Sequence, residues 1–138
     1  MNDSSIWLDH VAIAVENLES VKKIYQDLGL NFPQPSMTVE NQQVNVLMSP
    51  VKGPTNLEFL EPTDSKGSIG KYLEKKGPGI HHLCFRVSDI HELMDRLIKL
   101  GYIFVYPSPQ TGAHSSLVNF LHPKSTQGIL IEFSQHNK

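Results

Sequence analysis

The chain contains a single cysteine, Cys84, and lacks the features of an exported or membrane-bound protein. One cysteine excludes an internal disulfide, which favours a reduced, cytoplasmic setting. No apolar run approaches the roughly 20 residues that a bilayer-spanning helix needs, so no membrane partner is expected. The first ten residues, MNDSSIWLDH, lack the basic and long apolar parts of a signal peptide.

An excess of positive charge is also missing. The 138 residues include 12 Lys and Arg against 14 Asp and Glu, which gives a formal net charge of −2. Because binding to nucleic acid requires a basic surface, we expect no nucleic-acid partner. The length fits one domain that covers residues 1–138.

What the sequence does contain is an internal repeat. LDHVAIAVENL at 8–18 aligns with IHHLCFRVSDI at 80–90, so that His10 falls on His82. Three more pairs follow in the same order, at offsets of 72 or 74 residues: YQDLGL with LIKLGY, VNV with VNF, and NLEFL with LIEFS. Ordered matches of this kind predict two copies of one unit of about 60 residues.

Each copy has the pattern β-α-β-β-β. Module one, about residues 6–62, has a strand at 7–15, a helix between Asn17 and Gly29, a weak strand at 37–39, and the strands VNVLM and NLEFL. Module two, about residues 79–135, has a strand at 80–87, a helix from Asp89 to Leu100, and the strands YIFVY, SLVNFL and GILIEF. A short linking helix is predicted at about 65–77, and the whole predicts an α+β fold.

Alternation along the strands separates the two neighbouring histidines. His82 shares a face with Cys84 and Arg86, whereas His81 shares the apolar face with residues such as Leu83. The face of His82 is mixed and small, as a cavity wall should be. In module one, His10 shares a face with Ala12 and Ala14. The repeat and the alternation therefore both pair His10 with His82 and leave His81 as a structural residue.

The same alternation isolates two carboxylates. Glu58 lies opposite Leu57 and Phe59, and Glu132 lies opposite a predicted core of Ile129, Ile131 and Phe133. A carboxylate within an apolar strand is costly unless it is paired or binds a metal. Two imidazoles and two carboxylates at equivalent positions suit a divalent transition metal.

These residues carry a resemblance to the vicinal oxygen chelate superfamily, which includes glyoxalase I, extradiol dioxygenases and bleomycin-resistance proteins. Within it, the chain resembles methylmalonyl-CoA epimerases in three stretches: LDHVAIAVENL, GPGIHHLCFRVSDI and GAHSSLVNFLHPKSTQGILIEF. The resemblance implies two paired modules that form a curved mixed sheet around a metal cavity. It also implies a homodimer.

The resemblance further implies a metal-dependent epimerase of methylmalonyl-CoA, or of a similar 2-substituted malonyl-type CoA thioester, that acts through an enolate. The implied ligands of Co²⁺, Ni²⁺, Mn²⁺ or Zn²⁺ are His10, Glu58, His82 and Glu132, and Glu132 is also the implied general base. Some epimerases of this family have a second glutamate where this chain has Asn45, which cannot exchange protons. A bound water or His114 would then deliver the second proton. The residues expected to contact the acyl-CoA are Asn45, Gly112, Ala113, Asn119, Lys124 and Ser125.

Three alternatives stay open. A lactoylglutathione lyase of the glyoxalase I type uses the same metal set on a glutathione hemithioacetal. An extradiol dioxygenase needs two histidines and one carboxylate, and Glu58 argues against it. A non-catalytic member of the superfamily would bind a small molecule in the same cavity without needing a metal.

Overall fold

The structure, a computed structural model, describes residues 6–136. Residues 1–5, part of the stretch considered for a signal peptide, lie outside the described residues. The strands are β1 (Ile6–Ala14), β2 (Met37–Val39), β3 (Val44–Pro50), β4 (Asn56–Pro62), β5 (Gly79–Val87), β6 (Gln110–Thr111), β7 (Leu117–Leu121) and β8 (Ile131–Gln135). The α-helices are α1 (Leu18–Asp27), α2 (Ser68–Lys76) and α3 (Ile90–Lys99).

Contacts divide the chain into two compact units. The N-terminal unit consists of residues 10–81, and the C-terminal unit consists of residues 82–136 together with 6–9. The division falls inside β1 and inside β5 rather than at the predicted module boundaries. A single domain for the whole chain therefore stays a prediction. Within residues 6–136, no helix is both long enough and apolar enough to cross a bilayer.

The N-terminal unit has four strands in the order β2-β3-β4-β1. The pairs β2–β3 and β3–β4 are antiparallel, and β1 runs parallel to β4. Helix α1 covers one face of these strands, where Leu18 packs with Leu47 and Phe59. Helix α2 covers the other face, where Ile69 packs in a cluster with Ala12, Ala14, Val44, Val46 and Leu60.

The C-terminal unit repeats this plan. Its strands lie in the order β6-β7-β8-β5, with two antiparallel pairs and with β5 parallel to β8. Helix α3 packs on one face through Ile90, Leu93 and Met94 against Phe133. The predicted β-α-β-β-β order is confirmed in both halves of the chain, and the predicted linking helix is α2.

The predicted starts and stops of the helices are also confirmed. The side chain of Asn17 accepts a hydrogen bond from Ser20 N, and that of Asp89 accepts one from Glu92 N, so both act as N-caps. Gly29 and Gly101 follow the helices with φ angles of +105° and +98°. Such angles favour glycine because it has no Cβ.

Two details differ from the sequence prediction. The stretch YIFVY makes an isolated bridge between Phe104 and Leu121 instead of a strand in this part of the described chain. Strand β8 begins at Ile131, and Ile129 is 53% exposed rather than in the core, because a turn continues through Gly128.

Candidate active site

The N-terminal unit places His10 beside Glu58. Strand β1 runs parallel to β4, with His10 opposite Asn56 and Ala12 opposite Glu58. This register puts the two side chains on the same face. The imidazole Nε2 of His10 lies 3.3 Å from Oε1 of Glu58.

The C-terminal unit places His82 beside Glu132 in the same manner. Glu132 lies opposite Cys84 on β5 and opposite Phe120 on β7. Nε2 of His82 lies 2.8 Å from Oε1 of Glu132. The ring of Phe120 meets the His82 imidazole edge to face, with 5.7 Å between the centroids.

Both pairs join a buried imidazole to a buried carboxylate. All four side chains are buried, with exposed fractions between 7% and 9%. Removing a carboxylate from water is costly, and a neighbouring imidazole or a bound cation offsets that cost. The predicted faces of these four residues are therefore confirmed, and each pair offers one nitrogen and one carboxylate to a divalent metal.

His81 has a different environment from His82. Its ring meets the Tyr72 ring of α2 edge to face at 4.8 Å, and the Tyr72 hydroxyl donates to the backbone oxygen of Ile80 at 3.0 Å. These contacts belong to the packing of α2 on the first residues of β5. The interpretation of His81 as a structural residue agrees with them.

Asn45 does not share a face with Glu58. The register of β3 and β4 sets Asn45 opposite Glu61 and sets Met48 opposite Glu58. The amide of Asn45 donates to Glu61 Oε1 at 3.0 Å and accepts from the Thr38 hydroxyl at 2.6 Å. Asn45 and Glu61 line a cavity of about 150 Å³ beside the start of α1. The prediction that Asn45 faces the cavity of the metal site is therefore wrong, and its contact with substrate loses its basis.

Asn119, the equivalent of Asn45 in the repeat, is fully buried. Its amide nitrogen donates to Tyr106 O at 3.0 Å, and its amide oxygen accepts from Tyr106 N at 3.2 Å. The side chain thus holds the segment that follows α3 against β7. Asn119 is 0% exposed, and its amide serves the packing of this segment. A substrate contact of Asn119 stays a prediction.

The turn that carries His114 is tightly built. His114 and Ser115 both have left-handed φ angles, 56° and 59°, which non-glycine residues rarely adopt. At Gly112 a Cβ atom would come within 2.8 Å of Val118 Cγ1, so the close packing requires glycine there. His114 itself is exposed, while Gly112 and Ala113 are half-buried. Substrate contacts of Gly112 and Ala113, and proton delivery by His114, stay predictions.

Lys124 and Ser125 lie in a short 3-10 turn, Pro123–Ser125. The Ser125 hydroxyl accepts a hydrogen bond from Ile103 N at 3.0 Å, and the backbone N–H of Lys124 donates to His122 Nδ1 at 3.1 Å. These bonds close the turn and attach it to the segment after α3. Binding of substrate by Lys124 or Ser125 stays a prediction.

The sequence reasoning missed one charged pair. Asp9, next to His10, is buried and accepts hydrogen bonds from Arg86 Nε at 3.0 Å and Nη2 at 2.9 Å. Alternation had placed Arg86 on the face of His82, but it gave no partner for Asp9. An acidic residue directly before a candidate ligand, in an otherwise apolar strand, was the available signal.

Comparison with known proteins defines the class. The family model for the glyoxalase/bleomycin resistance protein/dioxygenase superfamily matches residues 9–120. The chain belongs to this superfamily.

The relatives within the superfamily are more specific. The mitochondrial methylmalonyl-CoA epimerase of Dictyostelium discoideum is 37% identical over 93% of this chain and 77% of its own length. The ethylmalonyl-CoA/methylmalonyl-CoA epimerase of Cereibacter sphaeroides is 37% identical over 93% of this chain and 96% of its own. The crystal structure of the Mycobacterium tuberculosis methylmalonyl-CoA epimerase matches with a TM-score of 0.92 at 34% identity, over 100% of this chain and 94% of that one. The predicted vicinal oxygen chelate fold is confirmed.

Proposed function

We propose that this protein epimerises methylmalonyl-CoA, or a closely similar 2-substituted malonyl-type CoA thioester, with a divalent metal ion held by His10, Glu58, His82 and Glu132. The observation that carries this proposal is the pair of buried histidine–carboxylate contacts at equivalent places in the two repeats. Relatives that match nearly the whole chain are methylmalonyl-CoA epimerases, which supports the choice of substrate.

The donor set fits the metal. Two imidazole nitrogens and two carboxylates are borderline-hard ligands, which suit Co²⁺, Ni²⁺, Mn²⁺ or a six-coordinate Zn²⁺. Once bound, the ion supplies a Lewis acid that stabilises the negative charge left on the thioester oxygen when the C2 proton leaves.

Glu132 is the proposed base that removes this proton. It lies between Cys84 and Phe120 in the strand register and is only 8% exposed. A carboxylate with little water around it interacts more strongly with a nearby charge or proton. A general base must also come within about 3 Å of the proton that it removes.

The second proton has to reach the opposite face of C2. Strand β3 offers no acid on the face of Glu58, because its residues there are Val44, Val46, Met48 and Pro50. We propose that water or His114 delivers the proton. His114 is exposed and stands at the strained turn after Gly112.

Other functions of the superfamily fit less well. A lactoylglutathione lyase would use the same four ligands, and the distinction lies in the substrate. A binding-only protein needs no metal, and its function would not require two carboxylates buried beside histidines. The cytoplasmic location and the homodimer belong to the proposal as well.

Metal binding and turnover test the proposal together. The protein is stripped with a chelator, titrated with Co²⁺, and supplied with one epimer of methylmalonyl-CoA or with the hemithioacetal of methylglyoxal and glutathione. We expect one tightly bound Co²⁺ per chain and conversion of the CoA thioester alone. Two ions per chain would show that each histidine–carboxylate pair binds separately. Turnover of the hemithioacetal instead would make the protein a lyase.

A further inference from the structure

A second cluster lies at the beginning of β1 and the end of β5, within the C-terminal unit. It is centred on Trp7, the single tryptophan of the chain, which is 38% exposed. The guanidinium carbon of Arg86 lies over the Trp7 ring, 5.4 Å from its centroid. A large aromatic ring that is open to solvent and stacked with a cation is a common element of ligand recognition.

Asp9 fixes the position of this cation. One oxygen of the buried Asp9 carboxylate accepts from both Nε and Nη2 of Arg86, at 3.0 and 2.9 Å. These two contacts fix the orientation of the guanidinium, while about a third of the Arg86 side chain stays exposed. Arginine has five N–H donors in a planar fork, so further donors of a preorganised cation remain for an anionic ligand.

The cluster lies in line with the candidate active site. Arg86 follows His82 by four residues on β5, and an even spacing puts both on the same face. At about 3.3 Å per residue, the two Cα atoms are roughly 13 Å apart along the strand. In the neighbouring strand, Glu132 lies opposite Cys84 and Ser134 lies opposite Arg86. A thioester that reacts at Glu132 would have the rest of its carrier extending from this point.

We propose that Trp7 and Arg86, anchored by Asp9, bind the adenosine bisphosphate end of the CoA carrier. The adenine ring stacks on Trp7, and a phosphate accepts hydrogen bonds from Arg86. An adenine ring suits an aromatic plane, and a phosphate suits a fixed cation. Proteins recognise nucleotides through contacts of these two kinds. The inference rests on the proposed function, because it takes the substrate to be a CoA thioester.

The fluorescence of Trp7 tests the proposal directly, since the chain has no other tryptophan. The Zn²⁺-loaded protein is titrated with adenosine 3′,5′-bisphosphate and, separately, with pantetheine, with excitation where adenine does not absorb. We expect saturable quenching by the nucleotide and none by pantetheine. Turnover of methylmalonyl-CoA without quenching would overturn the inference and leave the proposed function standing. Quenching without turnover would leave the nucleotide site standing and overturn the proposed function.

Variants provide a second readout. Trp7→Leu should raise KM for methylmalonyl-CoA about tenfold with kcat unchanged. Stacking of the adenine holds the substrate equally in the ground state and in the transition state, so its loss weakens binding alone. KM for the methylmalonyl thioester of pantetheine, which lacks the nucleotide, should not change. Trp7 is partly exposed, so its replacement should leave the fold intact. Arg86→Lys keeps a positive charge beside Asp9 but loses the planar fork, and should raise KM for the CoA thioester in the same way.

A matched control is available on α2. Lys76 lies over the Tyr72 ring at 5.8 Å, so Lys76→Met removes a cation from an aromatic ring elsewhere on the protein. We expect no change in KM for either substrate. A higher KM for the CoA thioester in Lys76→Met, with none in Trp7→Leu, would place the nucleotide on α2 and overturn the proposal.

Discussion

The two acids of the candidate site differ in their neighbours. Glu58 lies beside His10 and opposite Ala12 and Met48, whereas Glu132 lies opposite Cys84 and Phe120. The chemistry proposed above makes Glu58 a metal ligand alone and gives Glu132 the additional role of base. Substitutions of the two glutamates should therefore distinguish metal binding from proton transfer.

We predict that Glu132→Gln reduces kcat by at least about a hundredfold, because a general base contributes roughly two to four orders of magnitude. Glu58→Gln is the matched control, since it makes the same change in the other repeat. It should keep most of the turnover when both variants are saturated with Co²⁺. Equal losses of kcat at equal metal occupancy would remove the case for Glu132 as the base.

The sequence was sufficient to assign the faces of His10, His82, Glu58 and Glu132, because apolar residues alternate with them. It was not sufficient for Asn45. Val44, Val46 and Leu47 are all buried, since α2 covers one face of β3 and α1 covers the other. A strand with apolar residues on both faces carries no alternation from which to read a direction.

At the level of the elements, side chains from the sheets hold the helices and the segments that follow them. Glu61 accepts a hydrogen bond from Leu18 N at the start of α1, and Gln135 accepts one from Ile90 N at the start of α3. Residues at equivalent places in the repeat thus satisfy the N–H groups that a helix start leaves without partners.

The segment after α3 explains why the predicted strand YIFVY is absent from its place in the described chain. Its backbone hydrogen bonds go partly to side chains: Ile103 N to Ser125 Oγ, and Tyr106 N and O to the amide of Asn119. The apolar pattern of the segment could not indicate these partners, because Asn119 and Ser125 lie more than ten residues further along the chain.

We predict that Asn119→Leu lowers the free energy of unfolding by about 2–3 kcal/mol, because it removes the two hydrogen bonds that the fully buried amide of Asn119 makes with the backbone of Tyr106. Urea unfolding measures the change. Asn45→Leu is the matched control at the equivalent position. It should cost less because Asn45 is only half-buried and water can reach its partners, the exposed Thr38 and the half-buried Glu61. Equal costs for the two variants would contradict the structural role assigned to Asn119.

At the scale of the whole molecule, the repeat was the most informative feature of the sequence. Its two copies predicted the element order of each half, and the equivalence of His10 with His82 and of Glu58 with Glu132. Periodicity could not show that the contacts divide inside β1 and β5, because that depends on residues far apart in the chain.

Proton exchange at C2 tests the proposed reaction most directly. The Co²⁺-loaded protein is incubated with one epimer of methylmalonyl-CoA in D₂O, and the deuterium content at C2 is followed together with the ratio of epimers. We predict that deuterium enters and that the epimers equilibrate, since Glu132 and a second proton donor serve opposite faces of the carbon. Deuterium entry with retained configuration, or no exchange at all, would contradict the assignment of this protein as an epimerase.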